Sequence, residues 1–315
     1  MKLTRHRLLP APSPAYPRPS TPPNTASSSS PSSSSSSSIT PGLASRQAFV
    51  HTLADAAGDI TRAYFRTPVS VDTKADASPV TIADREAEAA MRRLIHAKFP
   101  HDAVFGEEAG LSHGCSEAGE KRDPSNQYTW ILDPIDGTKS FITGRPLFGT
   151  LIALLEAGLP VLGVIDQSIS RERWVGVRGL VTTHNDKPVQ TRDCETLDKA
   201  VLNATTPEMF RGVLASKFAA VSEGARLTMF GSDCYAYGLC AMGLVDVVCE
   251  ADLKVYDYMA CIPIIEGAGG VVTDWRGEEL RWEPGREMVN EVLAAGDRRT
   301  HAQALAILKE KVGSH

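Results

Sequence analysis

The chain has 315 residues, 42% hydrophobic and 23% charged, enough to bury one large core or two modest ones and too apolar for a wholly disordered or fibrous protein. Lys and Arg number 33 against 38 Asp and Glu, a net charge of -5, which argues against a nucleic acid as partner. No run approaches the roughly 20 consecutive apolar residues of a membrane-spanning helix, so a membrane is not an expected partner either.

Residues 1–44 are built from Pro, Ser and Thr, with eleven serines among positions 27–38. Such a segment buries too little apolar surface to offset the entropy of ordering it. Lys2, Arg5, Arg7 and Arg18 stand in it without an acid, and no continuous apolar stretch marks a secretory signal. The composition is that of a disordered transit-like peptide addressed to the chloroplast stroma, followed by a folded body over 45–315 that divides into possible halves, 45–190 and 191–315.

From Ser45, Phe49, Val50, Leu53, Ala57, Ile60 and Tyr64 recur at the spacing of a helix with one buried face. A second helix opens at Thr81, with Asp84 three residues on in a capping-box arrangement, and ends before Pro100. Short β-rich runs at 103–105, 128–132, 148–155, 161–165 and 174–177 read as strands, with a polar loop over 110–127. The second half alternates again: strand 200–204, a helix after Pro207, strand 226–230, helix 232–242, strand 245–250, helix 257–267, strands 271–274 and 291–295, and helix 299–311. Interleaved helices and strands imply a layered α/β architecture. The six cysteines, Cys115, Cys194, Cys234, Cys240, Cys249 and Cys261, lack paired C-x-x-C spacing and suit reduced, buried thiols.

The chemistry concentrates where strands end. The apolar run Trp130-Ile131-Leu132 stops in Asp133-Pro134-Ile135-Asp136-Gly137-Thr138, two carboxylates followed by a glycine that frees the chain to turn and a hydroxyl. Backbone N–H groups in such a turn suit an anion. Glu107 and Glu108 follow the strand at 103–105, and Asp257 stands where a loop enters a helix. Glu107, Asp133, Asp136 and Asp257, with the carbonyl of Ile135, form a hard oxygen set that suits Mg²⁺ and suits zinc poorly.

These residues carry a resemblance. G-E-E at 106–108, D-P-I-D-G-T at 133–138 and D-x₅-P-x₂-E-G-A-G-G from Asp257 resemble, in this order, the inositol monophosphatase superfamily of Mg²⁺-dependent phosphatases, over about residues 46–311. The resemblance implies an αβαβα sandwich, commonly a homodimer, acting on a small phosphorylated metabolite. It implies that Glu107, Asp133 and the Ile135 carbonyl hold one metal, and that Asp133, Asp136 and Asp257 hold a second. Asp84 would pair with Thr138 to orient the attacking water, Glu107 would assist, Gly137 and Thr138 would cradle the phosphate, and Lys74 would be a mobile-loop lysine near the metals.

For the organic end of the substrate the resemblance points to Gly231, Ser232, Asp233 and Glu250, with Asp257 beside the leaving oxygen. Two carboxylates there would suit a cation, although Asp233 also reads as a helix cap. Longer runs, Asp133 to Thr150, Arg171 to Gly176, Gly231 to Tyr237 and Glu266 to Trp275, resemble the histidinol-phosphate-hydrolysing members of plant plastids. The expected reaction is hydrolysis of L-histidinol phosphate in histidine biosynthesis, with inositol 1-phosphate or L-galactose 1-phosphate as alternative substrates and an inactive metal-binding scaffold as the non-enzyme reading.

Overall fold

A computed structural model describes residues 40–73, 79–114, 128–285 and 287–310. Lys74 and Cys115 lie outside the described residues. The body begins four residues earlier than expected, with α1 (Pro41–Tyr64). Thr40 Oγ1 accepts a hydrogen bond from Leu43 N at 3.3 Å and Pro41 occupies the first helical position, where its missing N–H costs nothing. Leu43 is buried and the Gly42 carbonyl accepts from Arg46 Nη1 at 3.1 Å. The expected boundary at 44/45 is therefore corrected: residues 40–44 are the first turn of the folded body.

A hairpin, β1 (Val71–Thr73) and β2 (Pro79–Thr81), precedes α2 (Ile82–Lys98). Then come β3 (Ala103–Gly106), β4 (Gly110–Ser112), β5 (Tyr128–Asp136), the short α3 (Thr138–Ile142), β6 (Gly149–Glu156), β7 (Leu159–Gln167), β8 (Glu172–Val177), β9 (Thr183–His184) and β10 (Lys187–Pro188). These form an eight-stranded mixed sheet in the order β10-β9-β8-β7-β6-β5-β3-β4. The start of the supposed polar loop at 110–127 is a strand, because β4 pairs antiparallel to β3 across the Glu107–Ala109 turn.

The second half supplies β11 (Val201–Ala204), α4 (Val213–Gly224), β12 (Leu227–Phe230), α5 (Tyr235–Ala241), β13 (Val247–Glu250), α6 (Val255–Tyr258), α7 (Cys261–Gly267), β14 (Val271–Thr273), β15 (Val292–Ala295) and α8 (Arg298–Lys309). Its five-stranded sheet runs β12-β11-β13-β15-β14. The expected helix over 257–267 is two: α6 ends at Tyr258, and Pro263 sits in the first turn of α7, where a missing N–H removes no intrahelical bond. Helices α1 and α2 cover one face of the large sheet, α5, α6 and α7 fill the space between the sheets, and α4 and α8 cover the outside of the small one. The layering is αβαβα, as expected.

The two largest apolar cores among the described residues hold the layers. Phe49, Leu53, Met91, Trp130, Leu154 and Val164 are buried beneath α1 and α2. Leu151, Ile165, Trp174, Tyr237, Met259, Ile264, Val248 and Ala294 fill the middle layer. That layer sits close because the sheet has no side chain where α7 crosses it. A Cβ on Gly163 would lie 1.9 Å from the Ala260 carbonyl oxygen, and one on Gly176 would lie 2.4 Å from Ile264 N. Arg46 fastens the outer layer, its Nε donating to Asp102 Oδ2 at 2.8 Å, while Trp130 Nε1 donates to the same oxygen at 2.8 Å. The five described free cysteines are all buried, and no helix among the described residues is long and apolar enough to cross a membrane.

His301 on α8 is 6% exposed and contacts Thr273 Oγ1 through Nε2 at 3.0 Å. Burial, with Arg298 and Lys309 adding to it, lowers its pKa to about 4. The folded state thus keeps the ring neutral where the unfolded chain, near the usual value of about 6.5, protonates it. Stability is expected to fall as pH drops through 6.5 toward 4, by up to about 1.4 kcal/mol per pH unit from this group. His301→Gln, which keeps a partner for Thr273, should reduce the slope of unfolding free energy between pH 6.5 and 4.5 in urea titrations. An unchanged slope would remove His301 as the cause.

Candidate active site

The acidic cluster is assembled by strand register. β3 runs parallel to β5 with Gly106 beside Leu132, and Glu107 N donates to the Leu132 carbonyl at 3.1 Å. The two strands therefore deliver Glu107 and Asp133 to the same end of the sheet. Asp133 and Asp136 are three apart and would point to opposite faces of a regular strand. A register irregularity between them, opposite Leu151 and Gly149 of β6, corrects this. Thr150 Oγ1 satisfies the displaced Pro134 carbonyl at 2.8 Å. Asp257 arrives on α6, which lies against β5 and β6, and its Oδ2 accepts from Lys254 N at 2.7 Å.

One carboxylate oxygen from each of Asp133, Asp136 and Asp257 lies within 4.8 Å of the others. Glu107 joins them from the side, in hydrogen-bond contact with Asp133. Burial first, then the charges of Glu107, Asp136 and Asp257, hold the Asp133 carboxyl well above the usual range. Asp136 is likewise raised, by burial and by Asp233 and Asp257, and burial pushes Asp257 up to about 8. Like charges this close, without a cation among them, are costly. A divalent ion offered several hard oxygens would relieve that repulsion. The nearby thiols of Cys234 and Cys261 are pushed well up by burial, so they stay protonated and are poor ligands. The donor set fits a hard cation.

Gly137 turns the chain with φ 87, opening α3. The first-turn N–H groups of a helix have no intrahelical acceptor, which leaves them available to an anion. A Cβ at Gly137 would fall 2.9 Å from Asp233 Cγ, so glycine is required here both for its φ and for the approach of Asp233. A cavity of about 300 Å³ opens in front, lined by Glu107, Asp136, Gly137, Thr138, Asp233 and Asp257 and, on its outer wall, by Pro79, Lys139, Thr205, Thr206, Glu208, Met209, Arg211, Ala251, Asp252 and Leu253.

Several expectations change. Asp84 does not hydrogen-bond Thr138: its Oδ2 accepts from Thr81 N at 2.8 Å and Thr81 Oγ1 at 2.6 Å, completing the capping box of α2. Thr138 Oγ1 instead donates to the Ile135 carbonyl at 3.1 Å, because a hydroxyl three residues on folds back onto that oxygen. The same bond engages the Ile135 carbonyl that was expected as a metal ligand and leaves it one lone pair. Asp84 Oδ1 remains buried without a partner among the described residues.

Glu250 is likewise not at the substrate end. Its Oε1 accepts from Thr205 N at 2.8 Å and Thr205 Oγ1 at 2.7 Å, and its Oε2 from Tyr237 OH at 2.8 Å. Buried at 2% exposure, it anchors Thr205 from behind the cavity. Asp233 is not a helix cap: it has φ 45 and accepts from Ser140 Oγ at 3.3 Å, while Cys234 N donates to Asp136 Oδ2 at 2.6 Å. Burial raises Asp233 to about 6. Ser232 Oγ accepts from Asn203 Nδ2 at 3.3 Å, and Gly231 supplies the left-handed turn, φ 92, ahead of Asp233. Neither lines the cavity. Sequence reading missed Thr205, Glu208, Arg211 and Asp252; Thr205 and Asp252 stand just past the ends of β11 and β13, while Glu208 and Arg211 lie in the segment after β11 and carry no such signal.

A layered α/β body presenting buried carboxylates and a glycine turn at its strand ends has the architecture of a metal-dependent phosphatase. The chain belongs to the inositol monophosphatase family, whose model matches residues 43–312. It is 47% identical, over 82% of its length and 73% of the relative, to the chloroplastic bifunctional phosphatase IMPL2 of Arabidopsis thaliana. To a histidinol-phosphatase of Chlorobaculum parvum it is 37% identical, over 72% of this chain and 85% of that one. Among solved structures, an inositol monophosphatase from Zymomonas mobilis superposes with a TM-score of 0.73 at 43% identity, covering 85% of this chain and 99% of that chain.

Proposed function

We propose that the protein is a plastid Mg²⁺-dependent histidinol-phosphatase. The carrying observation is the charge of the cavity: six carboxylates, Glu107, Asp136, Glu208, Asp233, Asp252 and Asp257, line it against two cations, Lys139 and Arg211. Cations held by Glu107 and the aspartate cluster answer part of that charge, and a substrate with a cationic organic end answers the rest. Histidinol phosphate carries an ammonium group and an imidazole. The relatives that bear the name histidinol-phosphatase support the same reading. The word chloroplastic in the name of the Arabidopsis relative, with the composition of residues 1–39, supports the plastid.

Bound Mg²⁺ supplies neutralisation of the phosphate dianion, the main obstacle to attack by water. The chain's residues do the rest. Backbone N–H groups of Gly137 and Thr138 hold the phosphate oxygens in line with the attacking water. Thr138 Oγ1, released from Ile135, orients that water, and Asp84 Oδ1 takes the proton, a role suited to a buried carboxyl whose pKa burial has raised. Asp257 faces the leaving oxygen, and Asp233 faces the ammonium group.

The test is phosphate release by the full chain with Mg²⁺, comparing kcat/KM for histidinol phosphate, inositol 1-phosphate and galactose 1-phosphate. Histidinol phosphate is expected to lead by at least about 10-fold, the worth of one charge-assisted hydrogen bond. Asp233→Asn should remove most of that lead and change inositol 1-phosphate little. Equal values in the parent would sink the cation-pocket reading. They would favour the broader one that the word bifunctional in the relative's name suggests.

A further inference from the structure

Glu88 lies outside the cavity and is 1% exposed. It stands on α2, one turn after Asp84, yet its carboxylate serves the turn between β3 and β4. Oε2 accepts from Glu108 N at 2.8 Å, and Oε1 accepts from Ala109 N at 2.9 Å and from Arg92 Nε at 2.7 Å. Arg92 continues the clamp: its guanidinium donates to the Gly110 carbonyl, to Ser112 Oγ at 2.9 Å and to the Val104 carbonyl at 3.4 Å. The carboxylate also fills the space beside the strand end, since a Cβ on Gly106 would lie 2.4 Å from Glu88 Cδ.

The residue caught between these fixings is Glu107. Its own N–H is held by Leu132 of β5, and the next two N–H groups are held by Glu88. We infer that the buried Glu88–Arg92 pair positions Glu107 for metal binding by fixing the backbone on both sides of it. A buried carboxylate is costly unless paired and hydrogen-bonded. Here the three donors and the Arg92 charge meet that condition, and the pair adds no net charge to the acidic cluster. An amide could not replace it. Three N–H donors converge on the carboxylate, and an NH₂ group in the place of either oxygen would face a donor with another donor.

This rests on the reading that Glu107 is a metal ligand, so the experiment separates the two. Mg²⁺ binding to the purified full chain is measured by calorimetry without substrate, alongside the melting temperature of the metal-free protein. Glu88→Gln is expected to raise the Mg²⁺ Kd on the order of 10-fold, the usual effect of losing a partner that orients a ligand. Substrate KM at saturating Mg²⁺ should be unchanged. A purely structural role would lower the melting temperature and leave the Kd alone. A rise short of 10-fold overturns the proposal when Glu107→Gln does weaken binding; if Glu107→Gln leaves the Kd unchanged, the metal reading fails as well. Should Glu88→Gln not fold, Arg92→Lys, which keeps the charge and loses the fork, is judged by the same Kd.

Discussion

Asp133→Asn is expected to lower kcat/KM for the preferred phosphate ester by about 10³-fold or more, the loss of several kcal/mol of charge neutralisation. The amide keeps an acceptor for the Ile135 N–H, which bonds Asp133 Oδ1 at 3.0 Å, so the turn is retained and the loss is one of charge. Stability should move the other way. The folded state raises the Asp133 pKa through burial and three neighbouring carboxylates. Ionising it therefore costs folding free energy, increasingly as pH rises above the unfolded value of about 3.9. At pH 8 the metal-free variant should melt above the metal-free parent. The rise in melting temperature that Mg²⁺ gives the parent should shrink in the variant. Activity at the parent level would sink the metal assignment; a variant that melts below the parent would sink the account of charge repulsion.

Gly163→Ala is expected to be the most damaging single-methyl change in the middle layer. Its Cβ would enter the Ala260 carbonyl at 1.9 Å, and neither partner is a flexible side-chain end. The helix must lift from the sheet, at a cost of about 3 kcal/mol or more, or roughly 6 to 12 °C in melting temperature. Because Ala260 follows closely on α6, the displacement should carry Asp257 with it and reduce kcat even where the variant is folded. Gly42→Ala is the control: its Cβ would meet only ordinary contacts at 3.5 Å, and alanine favours a helix, so it should be neutral or slightly stabilising. Equal melting temperatures for the two variants would mean that the close approach of α7 is not what sets the layer spacing.

The middle layer also explains what sequence reading could and could not reach. Periodicity is a local property, so the helix at α1, the Thr81–Asp84 capping box and most strands of both sheets were legible from residues a few positions apart. The short elements were not: α3 has five residues and β4 three, too few to establish a period. The split between α6 and α7 was hidden because Pro263 is tolerated in a first turn and so does not mark a break.

At the site, the available chemistry was legible residue by residue: hard oxygen donors at strand ends, a Gly-Thr turn suited to an anion, and no comparable set of histidines or thiols. Which donors meet was decided by the tertiary structure. Parallel register brings Glu107 to Asp133, a strand irregularity turns Asp136 to the same side, and the close packing of α6 and α7 delivers Asp257 from over a hundred residues away. Long-range contacts withdrew one expected group, and a local one half-occupied another. Glu250 is saturated by Thr205 and Tyr237, and Asp84 by Thr81 in one of its oxygens. A carboxylate's role depends on the donors that reach it, and for Glu250 the donor Thr205 comes from another strand end, 45 residues away. Spacing along the chain reveals the carboxylates; only the packed layers show which of their oxygens remain free.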